Sequence, residues 1–157
     1  MLAIIDGDIP PFLVGYHCIK NNEQAAYYVH LSSFMDNIFA ASECDEYVIF
    51  LSGKGNFRAS VSKDYKAQRD YDQEIYKVAR KGRNYLYENY NSYIVNGAEA
   101  DDGVAICKYN NPDSVILSND KDLLQIPGKH FNYRKMEAIN VAEREAEYNF
   151  WSQMLIG

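Results

Sequence analysis

The sequence points to an α/β fold: a twisted, mostly parallel sheet with helices on both faces. Three observations carry this. Short continuous apolar runs at 2–5, 47–51 and 115–117 lack the alternation of a half-solvated strand, so they read as strands buried on both faces. Longer stretches of helical period separate them, at 22–42, 71–90 and 98–109. Two of the runs end in acidic and turn residues, Asp6-Gly7-Asp8 and Ser118-Asn119-Asp120, where open α/β sheets place their ligand crevice.

In chain order, Leu2-Ala3-Ile4-Ile5 forms the first strand with Asp6 at its tip. Gly7 allows a tight exit, and Asp8 serves either as a turn or cap residue or as part of the crevice. Pro10-Pro11 argue against a helix through that point. The stretch 22–42 reads as one amphipathic helix with Ala25, Ala26, Val29, Phe34, Ile38 and Phe39 on its apolar face. His17, His30 and His130 have no partners at ligand spacing and read as structural or surface residues. The second strand, 47–51, leads into a long loop at 52–69, and a loop of that length in a compact domain is usually functional. A helix over 71–90 has Ile75, Val78, Ala79, Leu86 and Tyr90 near helical spacing. Gly82 in its middle costs roughly 1 kcal/mol relative to alanine. It marks either a soft centre or close packing against a neighbour.

A third strand at 92–95 feeds the 98–109 helix, and 115–117 is the next strand. An edge strand is expected at 130–133. Asn140 is expected to cap a last helix over 141–156, with Phe150, Trp151, Met154, Leu155 and Ile156 packed on the sheet.

Composition sets bounds. The 157 residues make one domain with one substantial core, and 47% hydrophobic with 24% charged residues is ordinary for a globular protein. No stretch approaches the ~18 apolar residues of a membrane helix. The apolar start also lacks the basic flank of a signal peptide. These features predict a soluble, untargeted protein of the cytoplasm, that of the host if the source is viral. Cys18, Cys44 and Cys107 are scattered and contain no C-x-x-C pair, which predicts reduced thiols rather than a disulfide frame or zinc site. The net charge of −6 is uneven: residues 54–83 carry +5 and the remainder −11. Such a segment is either a solvated helix face or a phosphate-attracting surface opposite an acidic pocket.

The chemistry concentrates in 97–125. Glu99, Asp101 and Asp102 fall in the first turn of the 98–109 helix, where acidic residues suit the helix dipole. Asp120 and Asp122 follow the 115–117 strand. Either cluster alone reads as an ordinary helix start or turn. Together with Asp6 they suit a hard divalent cation such as magnesium, which takes oxygen ligands and keeps several of its waters. Phe57-Arg58 and Tyr65-Lys66-x-x-Arg69 interleave aromatic and basic residues, a composition that stacks unpaired bases and pairs with phosphates. Gly53-Lys54-Gly55 offers backbone N–H groups but lacks P-loop spacing.

E-A-D-D at 99–102 followed by a strand and S-x-D-K-D-L-L-Q at 118–125 resembles the 5′-to-3′ exonuclease and flap endonuclease superfamily of PIN-like fold, particularly its compact bacteriophage members. The opening strand with D-G-D, the N-F-R at 56–58 and the Y-K-x-x-R at 65–69 resemble further motifs of that family, with Gln68 where asparagine is usual. The resemblance implies a divalent-metal-dependent nuclease of DNA replication. It would act on 5′ ends, flaps or single strands of DNA, or on RNA. Magnesium or manganese would be held by Asp6, Glu99, Asp101, Asp102, Asp120 and Asp122. Asp6, Lys66, Asp101 and Asp120 would be catalytic, while Arg58, Tyr65, Lys66 and Arg69 would bind substrate. The region 52–90 would form the arch through which single-stranded 5′ ends pass.

Two departures follow. The family usually has an aspartate at the end of the second strand, where this chain has Leu51, Ser52 and Gly53, so the second site of a two-metal centre is expected to be incomplete. In the family, a segment like W-x-Q-x-L-I-G at 151–157 leads to an Asp-rich turn and a helix-three-turn-helix module, and this sequence ends there. We expect weak activity, with the module absent or supplied by a separate chain. The alternatives are a catalytically impaired module that binds DNA structure or docks on a partner, and a PIN-type ribonuclease.

Overall fold

The computed structural model describes residues 1–61 and 72–156. Its centre is β1 (Leu2–Asp6), paired in parallel with β2 (Glu46–Ser52) on one side and β4 (Val115–Leu117) on the other. The sheet has six strands in the order β3-β2-β1-β4-β5-β6, with β3 at Ser92–Val95, β5 at Gly128–Asn132 and β6 at Glu137–Val141. Among the described residues the one antiparallel pair is β5 with β6. The chain builds outward from β1 through β2 to β3, then crosses to β4 on the other side. The ends of β1 and β4 therefore flank the point where strand order reverses, the usual crevice of an open α/β sheet.

Alternation within the strands divides the core. Ala3, Ile5, Ile49, Leu51, Val115 and Leu117 face one side, packing with Val14, Leu31, Met35 and Leu86. These come from α1 (Ile9–Lys20), α2 (Tyr27–Ala41) and α4 (Gln73–Asn89). Ile4, Val48 and Ile116 face the other side, with Val104 of α5 (Ala100–Asn110) and Leu123 and Ile126. Helices thus cover both faces, as expected.

Glycine is required where backbones meet. A Cβ on Gly7 would collide with Ile49 and lie 2.9 Å from the Phe50 carbonyl, which accepts the Gly7 N–H at 2.8 Å. A Cβ on Gly82 would strike the Tyr27 hydroxyl and stand 2.9 Å from Pro11 Cβ. Close packing, not a soft centre, explains Gly82.

Several expectations need correction. Pro10 and Pro11 lie inside the first turn of α1, which tolerates proline because its N–H groups have no intrahelical acceptor. The expected 22–42 helix starts later: α1 runs to Lys20, Asn22 takes a φ of 58°, and a 3-10 turn at Gln24–Ala26 precedes α2. The buried stripe of α2 is Tyr27, Leu31, Met35 and Ile38, whereas Val29 is exposed. The loop expected at 52–69 contains a short helix, α3 (Phe57–Val61), and its remainder from 62 lies outside the described residues.

The strand expected at an edge, β5, lies between β4 and β6. Asn140 pairs with Lys129 inside β6 and caps nothing. The last helix, α6 (Glu143–Ile156), packs on the 121–125 turn through Ala146, with Asn149 Nδ2 donating to the Leu124 carbonyl at 3.0 Å. Phe150, Trp151, Met154, Leu155 and Ile156 consequently point to solvent rather than to the sheet. His130 is buried against the Ile126 carbonyl at 2.8 Å, and His17 and His30 flank Glu23 at 3.8 and 3.3 Å. All three cysteines are free thiols. No described helix is long and apolar enough to cross a membrane.

Candidate functional site

The strand ends bring the predicted carboxylates together. Asp6 closes β1 and is 2% exposed, its Oδ1 accepting the Asp8 N–H at 3.1 Å. Burial, then the charges of Asp101 and Asp8, push its pKa well above the ordinary carboxylate range. Asp101 stands in the first turn of α5. Burial is the main cause raising its pKa to about 6, followed by the charges of Asp120, Glu99, Asp8 and Asp102. Asp120 follows β4; its N–H donates to Ser118 Oγ at 3.0 Å and its Oδ1 accepts the Asp122 N–H at 2.9 Å.

Asp6, Asp101 and Asp120 therefore feel one another's charge. Among the described residues none of the three has an ion-pair partner. Nor do three acidic, histidine or cysteine side chains among the described residues converge tightly enough to hold an ion as they stand.

Arginines flank the trio on both sides. Arg58 in α3 donates from Nη1 and Nη2 to Asp102 at 2.7 and 2.9 Å and lies 4.0 Å from Glu99. The hydrogen bonds from Arg58 hold the Asp102 carboxyl below its usual range. Asp102 also accepts the Glu99 N–H at 2.9 Å, closing the start of α5. On the other side Arg83 Nε lies 2.9 Å from Asp8 Oδ1, a charge contact without hydrogen-bond alignment, while Arg83 Nη2 donates to the Ser52 carbonyl. Asp8 Oδ1 accepts the Ser52 N–H at 3.2 Å, and Ser52 Oγ accepts the Ala100 N–H at 2.8 Å. Ser52, standing where the resemblance leads one to expect an aspartate, thus ties the tip of β2 to the start of the acidic helix.

Asp122 lies farther out, in an open groove of about 670 Å³ that it lines with Glu99, Asp101, Asp102, Glu143 and Glu147. A second cavity of about 380 Å³, lined by Leu13, His17, His30 and Phe34 among others, contains no carboxylate. Gly53-Lys54-Gly55 is knitted to the 95–97 turn: the Gly53 N–H donates to Val95 at 2.8 Å and the Lys54 carbonyl accepts from Gly97 at 3.0 Å. The Gly53 N–H is therefore not offered to a phosphate. Tyr65, Lys66 and Arg69 lie outside the described residues. Sequence reasoning missed the engagement of Asp8 by Arg83 and the capping role of Ser52. The Asp8 signal was present in D-G-D, but nothing in spacing links residue 8 to residue 83.

An all-carboxylate trio without an ion-pair partner among the described residues, one member almost fully buried, suits hard divalent ions.

The chain is similar to known proteins in sequence and in fold. The family model described as the 5′-3′ exonuclease, N-terminal resolvase-like domain, matches residues 1–150. A 5′-3′ exonuclease of Mycoplasmopsis pulmonis is 30% identical over 116 residues, covering 71% of this chain and 39% of the relative. A bacteriophage T5 protein co-crystallised with metal ions superposes with a TM-score of 0.67 at 16% identity, over 88% of this chain and 57% of that one. A T5 flap endonuclease in a complex with DNA and metal ions gives 0.58 at 16% identity over the same shares. This chain therefore spans well under two thirds of the length of these relatives.

Proposed function

Because this chain belongs to the 5′-3′ exonuclease family through its N-terminal resolvase-like domain, we propose that it is the metal-binding nuclease core of a 5′-3′ exonuclease or flap endonuclease, hydrolysing phosphodiester bonds near the 5′ ends of DNA. One observation carries the reading: Asp6, Asp101 and Asp120, none of them ion-paired among the described residues, lie between two carboxylate–arginine pairs at the reversal point of the sheet. Asp6, Asp101 and Asp120 would hold magnesium or manganese, with Glu99 and Asp122 contributing from the rim. A bound cation supplies a Lewis acid that activates water and stabilises charge on the scissile phosphate. Asp102 keeps α5 in place through Arg58, so its part is positional. Tyr65, Lys66 and Arg69 would stack a base and neutralise phosphates, a role that rests on the resemblance alone.

The test is release of nucleotides from a 5′-labelled DNA flap with magnesium or manganese. Asp120→Ala should lower the rate by more than about 100-fold, since losing a ligand exceeds the effect of losing a supporting partner. An unchanged rate would sink the assignment of the site. A second reading, a DNA-binding module with little catalysis, is favoured by Arg83, which neutralises the Asp8 side of the crevice. Tight binding of the flap with no cleavage at any manganese concentration would select it, and cleavage of RNA alone would select a ribonuclease.

A further inference from the structure

Asp101 owes its place to a side chain on another element. Ala100, the residue before it, opens α5 and is 1% exposed. An amide in the first turn of a helix has no intrahelical acceptor, so a buried one must find an oxygen elsewhere. The Ala100 N–H finds it at Ser52 Oγ, 2.8 Å away at the end of β2. The other cap of this turn is local: Asp102 Oδ2 accepts the Glu99 N–H at 2.9 Å, and Glu99 takes the Asp102 N–H in return. Ser52 thus refers the helix to the sheet, where Glu99 and Asp102 refer it only to itself. Ser52 is in turn fixed, level with Val95 in the parallel ladder and donating its N–H to Asp8 Oδ1 at 3.2 Å. One turn further along α5, a Cβ on Gly103 would stand 2.7 Å from side-chain atoms of both Phe50 and Val95. Gly103 sets how near α5 lies to the sheet, and Ser52 sets where along the strand ends its first turn begins.

We propose that Ser52 is a positioning residue for the cation: its hydroxyl, by holding the Ala100 amide, fixes the Asp101 carboxylate relative to Asp6, a role that rests on the nuclease reading above. The register supports this. Asp6 pairs with Phe50, so Ser52 stands two residues beyond Asp6 on the neighbouring strand, and the bond to Ala100 hangs the α5 carboxylate on the same strand ends. A hydroxyl does so without adding a negative charge beside Asp8. Magnesium demands near-ideal octahedral geometry with short bonds, so a small displacement of one carboxylate is felt in affinity. Groups that orient a metal's ligands from behind typically matter roughly 10- to 100-fold.

The experiment titrates magnesium into the 157-residue chain by calorimetry, with amide exchange and thermal unfolding recorded on the metal-free protein. Ser52→Ala should speed exchange at Ala100 and weaken magnesium binding about 10-fold. Ser52→Thr keeps the hydroxyl and should bind as the parent does. Losing a cap also lowers stability, so Ile38→Val, a mild core change in α2, serves as the control. It should lower the melting temperature and leave the affinity unchanged. In an Asp101→Ala background, Ser52→Ala should cost no further affinity, because the carboxylate it places is gone. Unchanged affinity in Ser52→Ala despite faster exchange at Ala100 would make the hydroxyl a structural cap only and overturn the proposal. So would an equal loss in Ser52→Thr, or a full additional loss in the Asp101→Ala background. If Asp101→Ala itself binds magnesium as the parent does, the nuclease reading falls. If only Ser52→Ala is silent, the inference falls alone.

Discussion

Arg58 grips both oxygens of Asp102, at 2.7 and 2.9 Å, and Asp102 in turn accepts the N–H of Glu99. One carboxylate of the acidic cluster is thereby committed to holding the others. The pair is about one-third exposed, so solvent screening limits its direct worth to below ~1 kcal/mol. The cap adds a comparable amount. Asp102→Ala should therefore cost more, about 1–2 kcal/mol by urea unfolding, than Arg58→Ala, and added salt should shrink the Arg58 effect but not the cap. Equal costs for the two variants would show that the cap contributes nothing.

Asp101 gives the protein a pH dependence with a definite sign. Its pKa is raised from 3.8 to about 6, so between those values the folded state binds more protons than the unfolded. Its contribution is fully present below about 4 and is lost as pH rises through about 6. Metal-free protein should accordingly lose melting temperature across that window, and buried Asp6, shifted the same way, should extend the loss. Millimolar magnesium should flatten the curve and raise the melting temperature above pH 6, because cation and proton compete for the same carboxylates. Asp101→Ala with Asp120→Ala should abolish most of the rise due to magnesium. A rise that survives in the double variant would place the ion elsewhere.

The segment with Tyr65, Lys66 and Arg69 is tested by binding. Replacing Lys66 and Arg69 should weaken affinity for single-stranded DNA and reduce the slope of log K against log salt, since fewer counterions are released. Tyr65→Ala should cost roughly 1–3 kcal/mol if the ring stacks a base. Equal affinities for the parent and all variants would return this stretch to a solvated surface.

Gly82 sets helix propensity against packing. Alanine would favour α4 by about 1 kcal/mol as a helix former. Its methyl, however, would meet the Tyr27 hydroxyl, itself bonded to the Pro11 carbonyl at 2.9 Å, and Pro11 of α1. Overpacking of this kind costs about 1–3 kcal/mol, so Gly82→Ala should be net destabilising. A higher melting temperature would show that the contact yields easily.

Much of this was legible in the sequence, for stateable reasons. Buried parallel strands advertise themselves as apolar runs, and the acidic residues at their ends follow from the sheet. Val115–Leu117 and Ser92–Val95 were read to the residue. β6 was missed because E-A-I-N-V has neither turn flanks nor a strong apolar run; its pairing with β5 is a tertiary effect. The exposure of Trp151 and Leu155 departs from the apolar pattern of the sequence because α6 docks through Ala146 instead. At the site, the carboxylates are visible as motifs, but Arg83 reaches it from α4, a distance that no local pattern encodes.

Arg83 supplies the last prediction. It contacts Asp8, which lies close enough to Asp6 and Asp101 to raise the pKa of both. The guanidinium therefore offsets one negative charge at the edge of the crevice and competes there with any cation. Removing it should deepen the negative potential felt by a metal. At the ~8 Å expected across such a site, with an effective dielectric near 40, one unit charge acting on a divalent ion is worth about 2 kcal/mol, or roughly 30-fold in affinity. Arg83→Gln should thus bind magnesium about 30-fold more tightly, while the metal-free protein becomes less stable from the lost contacts to Asp8 and Ser52. Those two effects have opposite signs, so thermal unfolding with and without magnesium separates them within one variant. Adding Asp8→Asn should cancel the gain in affinity, because the charge that Arg83 offsets is then gone. Weaker magnesium binding in Arg83→Gln would reverse the argument and make Arg83 a brace that shapes the site rather than a charge that opposes the ion.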